Sequence, residues 1–200
     1  EPHHSKYNFA VPSQTYIMDR VLTEISSLAY NSEDNTFITT EDENGHYYIL
    51  DGNDFSIQED VKFFKKGDYE SVEIVGNHII IAKNNGTLYF YDRTTKETQT
   101  FKNNLKSENN IEGLCFLKSD QVLLLACKGQ PLEKANGQQN MKCVYAFDIQ
   151  KKILRPKPFL TITDDALVKI VTNSYVNETK TQLKKYINRA KEFAPSAIAI

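Results

Sequence analysis

Two glutamates, Glu70 and Glu112, stand 42 residues apart in closely similar settings, Asp68-Tyr69-Glu70-Ser71-Val72 and Asn110-Ile111-Glu112-Gly113-Leu114. Each has a second oxygen-bearing side chain two positions earlier, which an extended strand places on the same face. Carboxylates that converge on a narrow space repel one another, so a proton or a cation must be held between them. Oxygen donors without His or Cys suit Ca²⁺ or Mg²⁺ better than zinc. The same phrase returns as Glu24-Ile25-Ser26-Ser27-Leu28 and as Ala194-Pro195-Ser196-Ala197-Ile198, offset by 44 residues before Glu70 and by 84 after Glu112. The expected site therefore has Glu70 and Glu112 as metal ligands, with Glu24, Ser26, Asp68, Asn110 and Ser196 around the ligand. A Glu at a strand start can equally accept backbone N–H groups from a neighbouring sheet, and the sequence leaves both roles open. Ser26 and Ser196 have neither a nucleophile-elbow sequence nor a matched His, so a structural role is expected of them.

Convergence requires elements that repeat, and the second half of each repeat supplies them. Gly45-His46-Tyr47-Tyr48-Ile49-Leu50-Asp51 aligns without gaps on Gly86-Thr87-Leu88-Tyr89-Phe90-Tyr91-Asp92, and Cys143-Val144-Tyr145-Ala146-Phe147-Asp148 is a third copy lacking the Gly. Each is a β-prone run closed by a turn-forming Asp. Between start and closing run lies a further apolar segment, as in His78-Ile79-Ile80-Ile81-Ala82. A fourth run follows, Phe55 to Phe64, Glu97 to Phe101 and Leu154 to Ile162. Four antiparallel strands in roughly 40 to 45 residues predict the blade of a β-propeller, an all-β fold whose inner strands line a central channel.

The expected divisions are an N-terminal closing strand over 7–21, blades over 22–64, 68–101 and 110–162, and the first strand of a fourth blade over 194–200. Between 163 and 193 the pattern turns helical. Thr163-Asp164-Asp165 reads as a cap, Asn177 or Thr179 starts a second helix, and Leu183, Tyr186, Ile187, Ala190 and Phe193 follow at helical spacing. This lengthens the last interval to twice 42 without a further hairpin, so it reads as an insertion. The Lys-rich second helix suits a membrane or partner surface, or a solvated face over a core stripe.

Composition excludes several classes. A net charge of −2 with Lys, Asp and Glu intermixed provides no basic stripe for a nucleic acid. No apolar run reaches the roughly 20 residues of a membrane span. The absence of an initial Met fits a removed leader or a trimmed end, and the stop at the opening of a new strand predicts that the chain is part of a larger protein or that something else completes the ring. Three cysteines make no even disulfide set; Cys127 and Cys143 flank one hairpin and read as free, partly buried thiols rather than a bond. Asn85-Gly86-Thr87 matches a glycosylation acceptor but has the placing of a hairpin turn. Glu41 and Glu43 form an acidic loop positioned to extend the channel mouth.

The phrases at 24–30, 67–72, 86–89, 110–114 and 195–199 resemble, in order, the SdiA-regulated protein family. That resemblance implies a six-bladed propeller, of which this chain covers about three blades and the start of a fourth, in the periplasm or cell envelope. It also implies kinship with calcium-dependent propeller lactonases, phosphotriesterases and phytase-like esterases, and a lipid anchor outside the present chain. The expected function is an exported binding or interaction module holding a cation or small polar ligand in the channel, or recognising a protein partner. The alternative is a metal-dependent hydrolase of lactones, esters or phosphate esters, with a channel carboxylate as general base.

Overall fold

A computed structural model describes residues 11–132 and 141–199. The chain is mostly β, with three antiparallel sheets followed by two short helices. The first sheet contains β1 (Ile25–Asn31), β2 (Thr36–Glu41), β3 (His46–Asp51) and β4 (Ile57–Lys62), paired in sequence order. The second repeats this with β5 (Tyr69–Val75), β6 (His78–Lys83), β7 (Leu88–Asp92) and β8 (Thr98–Phe101). The third contains β9 (Ile111–Leu117), β10 (Val122–Cys127) and β11 (Met141–Asp148), and its fourth place is shared by β12 (Ile153–Leu154) and β13 (Leu160–Thr163). Pro156 and Pro158 lie in that break: neither has an N–H for the ladder, though Arg155 N and Phe159 N still reach Ala146 O and Val144 O at 2.8 Å. The single run read from Leu154 to Ile162 is thus two pieces.

Alternation along the strands explains how the sheets stack. Ile38, Tyr47 and Ile49 leave one face of the first sheet to meet Ile79, Ile81, Tyr89 and Tyr91 of the second. The opposite face of the second, with Ile80, Ala82, Leu88 and Phe90, meets Leu123, Leu125, Tyr145 and Phe147 of the third. Since the side-chain period is two, adjacent residues in one strand serve different interfaces, and each middle strand reads as an uninterrupted apolar run. The first strands lie side by side, β1 against β5 and β5 against β9. Phe90, almost fully buried, packs edge-on to Phe101 with centroids 4.9 Å apart; truncating such a ring costs about 3–5 kcal/mol.

The closing Asp of each repeat is turn chemistry. The Asp51 carboxylate accepts from Asn53 N at 2.7 Å, Asp92 from Thr94 N at 2.7 Å and Asp148 from Lys151 N at 2.9 Å. These backbone bonds hold the Asp51 and Asp92 carboxyls below the usual range. The repeated Gly is steric: at Gly45, with φ +77°, a Cβ would come within 2.5 Å of Phe64 O. Asn85-Gly86-Thr87 closes the matching turn, with Asn85 Oδ1 accepting from Thr87 N at 3.1 Å.

Both ends of the chain depart from the sequence-based expectation. Residues 7–10 of the expected closing strand lie outside the described residues; 11–19 form no strand, and one 3₁₀ turn follows at Arg20–Leu22. There Leu22 and Met18 cover the outer face of the first sheet at Tyr48 and Leu50, so burial is achieved by packing without pairing. Over 194–199 the chain is extended without a ladder, and Ile200 lies outside the described residues. It nonetheless crosses Gly113 so closely that a Cβ there would be 3.0 Å from Ile198 N. Ile198 packs on the outer face of the third sheet, leaving a cavity of about 160 Å³ bounded by Ala126, Val144 and Leu160.

The helices are α1 (Asp164–Ser174), capped by Thr163 Oγ1 accepting from Ala166 N at 3.2 Å, and α2 (Lys180–Lys191), opened by a Thr179–Gln182 capping box. They pack on each other and contain no buried residue. Among the described residues no helix is long and apolar enough to cross a membrane.

Candidate functional site

All three first strands carry a bulge at one register position. Pairing steps from Ile25 to Ser27 in β1, from Tyr69 to Ser71 in β5 and from Ile111 to Gly113 in β9. The residues passed over are Ser26, Glu70 and Glu112, the three that the repeat aligns. A bulge leaves its extra residue out of the ladder and re-aims the side chain, which frees these positions from sheet packing. Just before each bulge the chain is fixed by equivalent backbone bonds: Asp42 N to Glu24 O, Asn84 N to Asp68 O and Lys128 N to Asn110 O.

Asp68, Glu70, Asn110 and Glu112 come together around this feature. Burial and then the negative charges of Glu112 and Asp68 push the Glu70 carboxyl up to about 7; a hydrogen bond to Asp68 acts in the same direction, and the Lys128 ammonium opposes it. Glu112 Oε1 accepts from Asn110 Nδ2 at 2.9 Å and from Lys128 Nζ at 3.0 Å. Asn84 Nδ2 donates to Asp68 Oδ2. The result is a half-buried cluster in which Glu70 holds a proton near neutrality while Glu112 is paired with an ammonium. Such a site can donate to one ligand group, accept from another and change charge as it does so.

The remaining expected residues stand apart. Glu24 and Ser26 hold the corresponding place in the first sheet, Glu24 exposed and Ser26 half-buried. Ser196 is exposed on the segment crossing β9. Glu41 does not extend a channel mouth: its carboxylate is consumed by its own hairpin, accepting from the backbone N–H groups of Glu43, Asn44 and His46 at 3.1, 2.6 and 3.1 Å. Cys127 and Cys143 are buried free thiols, and burial pushes the Cys127 thiol up to about 12.

A second residue set, Asp42, Asn84 and Lys128, was not aligned from the sequence: each is the first residue after the second strand of its sheet. Their common place was visible only as an offset from the Glu41, Lys83 and Cys127 strand ends. Asp42 Oδ1 is buried without a hydrogen-bond partner among the described residues. Tyr69 N donates to Asp42 O at 2.9 Å and Ile111 N to Asn84 O at 2.8 Å, so this set also ties each sheet to the next. Among the described residues no three His, Cys, Asp or Glu side chains are grouped to hold a metal ion.

Backbone latching between sheets falls to other side chains. Ser27 Oγ accepts from Val72 N at 2.8 Å, and Glu73 Oε2 accepts from Phe116 N at 2.9 Å.

No family model and no curated protein matches this chain. Among solved structures it is similar to two computationally designed proteins. The Ika8 protein is 15% identical with a TM-score of 0.42, over 66% of this chain and 35% of that one. The Ika4 protein is 14% identical with a TM-score of 0.47, over 74% of this chain and 79% of that one. This chain therefore spans about a third of the designed Ika8 chain.

Proposed function

We propose that the chain is a section of a propeller-type binding module whose inner strands present a small polar ligand with the cluster at Asp68, Glu70, Glu112 and Lys128. The reading of the sheets as blades is supported by the shared bulge register of β1, β5 and β9 and by the side-by-side packing of those strands. The placing of Ile198 over Gly113 supports it too, for Val72 crosses Ser27 at the equivalent point two sheets earlier.

The single observation that carries the ligand reading is the unevenly charged carboxyl set on the bulges. Evolving an ordinary sheet edge gives no reason to crowd Glu70 against Asp68 and Glu112 at the cost of holding a proton near neutral pH. A calcium ion at Glu70 and Glu112 would have to displace Lys128 Nζ, which already lies 3.0 Å from Glu112. The occupant that fits better is an uncharged or cationic small molecule with hydroxyl or amino groups. It would accept from Lys128 or protonated Glu70 and donate to Asp68 and Glu112.

Ligand-observed NMR with a library of polyols, amino alcohols and simple amines, run with and without added CaCl₂, tests this. Compounds that bind the wild-type chain and lose binding to both Glu70→Gln and Glu112→Gln are expected. If no compound discriminates the wild-type chain from those variants, or if only Ca²⁺ does, the small-ligand reading fails.

A further inference from the structure

We propose that the α1–α2 hairpin is a docking surface for an anionic lipid membrane. The charge distribution is the first argument. Within twelve residues α2 carries Lys180, Lys184, Lys185, Arg189 and Lys191 and no acid. With α1 and the connecting turn, residues 164–191 have six basic side chains against Asp164, Asp165 and Glu178, a net +3, while the rest of the chain has 18 against 23, a net −5, so a cationic hairpin adjoins an anionic body. None of the five α2 cations is in an ion pair among the described residues. Internal neutralisation therefore does not explain them, and their field is directed at solvent.

Apolar exposure at the same place is the second argument. Val176 is 72% exposed, Ile170 60% and Tyr175 42%, at the end of α1 and the turn into α2. Tyr175 stacks on Tyr186 of α2 with ring centroids 4.5 Å apart. Leu183, Tyr186, Ile187 and Ala190 lie only partly buried along one side of α2, while the basic residues flank that side. Aromatic rings with polar tips, flanked by ammonium groups and accompanied by exposed aliphatics, suit the boundary between headgroups and acyl chains. An acidic protein would satisfy the five cations but gives no reason to expose Val176 and Ile170 beside them. A lipid surface takes both, and needs no matching shape.

Co-sedimentation of the full chain with sucrose-loaded vesicles tests the proposal. Phosphatidylcholine alone is compared with phosphatidylcholine containing roughly a third phosphatidylserine, at about 0.1 M and about 0.5 M salt. Binding to the anionic vesicles only, released by the higher salt, is expected. Each basic residue contributes about fivefold near such a surface, so Lys184→Glu with Lys185→Glu should weaken partitioning more than tenfold. Val176→Asp should weaken it further than its one charge accounts for. All three positions are exposed, and an unchanged circular dichroism spectrum shows that the variants fold. Equal binding to neutral vesicles, no binding to either, or salt-sensitive binding to polyglutamate without vesicle binding would each overturn the proposal, the last in favour of an acidic protein partner.

Discussion

Glu70 and Glu73 leave the same strand three residues apart and meet opposite fates. Glu73 sits in regular ladder, where its carboxylate accepts from its neighbour Ile74 N at 2.8 Å and from Phe116 N of the next sheet at 2.9 Å. Glu70 sits on the bulge, where its neighbours are the acids Asp68 and Glu112 and it holds a proton to about pH 7. The difference shows how register decides what a carboxylate on one strand meets. Where backbone donors face a carboxylate, the charge ties two sheets together; where the bulge removes those donors, the carboxyl is left beside other acids.

The largest effect that would break this contrast is expected at Glu73. Glu73→Ala removes a charged acceptor from two backbone N–H groups, and should lower the stability of the chain by about 2–3 kcal/mol in urea unfolding. Glu73→Gln keeps an acceptor and should recover more than half of that. If Glu73→Ala unfolds at the wild-type urea midpoint, the latch is not one. Ser27→Ala, at the side-chain latch between the first and second sheets, removes a neutral acceptor and should cost about 1 kcal/mol in the same measurement.

Glu70→Gln should act with the opposite sign. The Glu70 carboxyl lies near 4.5 unfolded and about 7 folded, so the folded chain binds the proton more tightly. Stability from this group is fully present below about 4.5, is lost as the pH rises through about 7, and is absent above. A half-buried carboxyl is screened, so the recoverable amount is on the order of 1 kcal/mol rather than the full shift. Glu70→Gln should therefore be as stable as wild type near pH 4 and about 1 kcal/mol more stable near pH 8. A constant difference between the two chains at both pH values contradicts the assigned cause. Lys128→Met, the smallest change, removes the cation that opposes the shift and should move the Glu70 titration upward in a ¹³C NMR pH titration; an unmoved midpoint would show that Lys128 does not reach the cluster.

Much of this contrast was legible in the sequence, and the remainder depends on register. The all-β class follows from the aligned Gly-to-Asp runs at 45–51 and 86–92, because each is a β-prone segment closed by a residue that forms its own turn. The alignment of Ser26, Glu70 and Glu112 also follows from sequence, since their flanking apolar residues match. That these three are bulge residues does not, for a bulge is defined by the partner strand. The same limit hid Asp42, Asn84 and Lys128. Lys128 lies one residue beyond β10, so the cation beside Glu112 is assigned to it only once β9 and β10 are paired. Ser27 and Glu73 as latches were invisible for a related reason: their partners, Val72 and Phe116, are 45 and 43 residues away in other sheets. The helical caps at Thr163 and Thr179 are local chemistry and were readable from sequence alone. The extended stretch at 194–199 resembles a strand in its residues but has no ladder, because pairing is a property of two segments.

The convergence of the bulge carboxyls is tested most directly by following the Glu70 side-chain carboxyl in a ¹³C NMR pH titration of the wild-type chain and of Glu112→Gln. The account predicts a midpoint near 7 in the first and a lower one in the second, since removing the neighbouring charge leaves burial and Asp68 to hold the proton. A midpoint near 4.5 in both would show that Glu70 faces solvent alone and that no shared site exists.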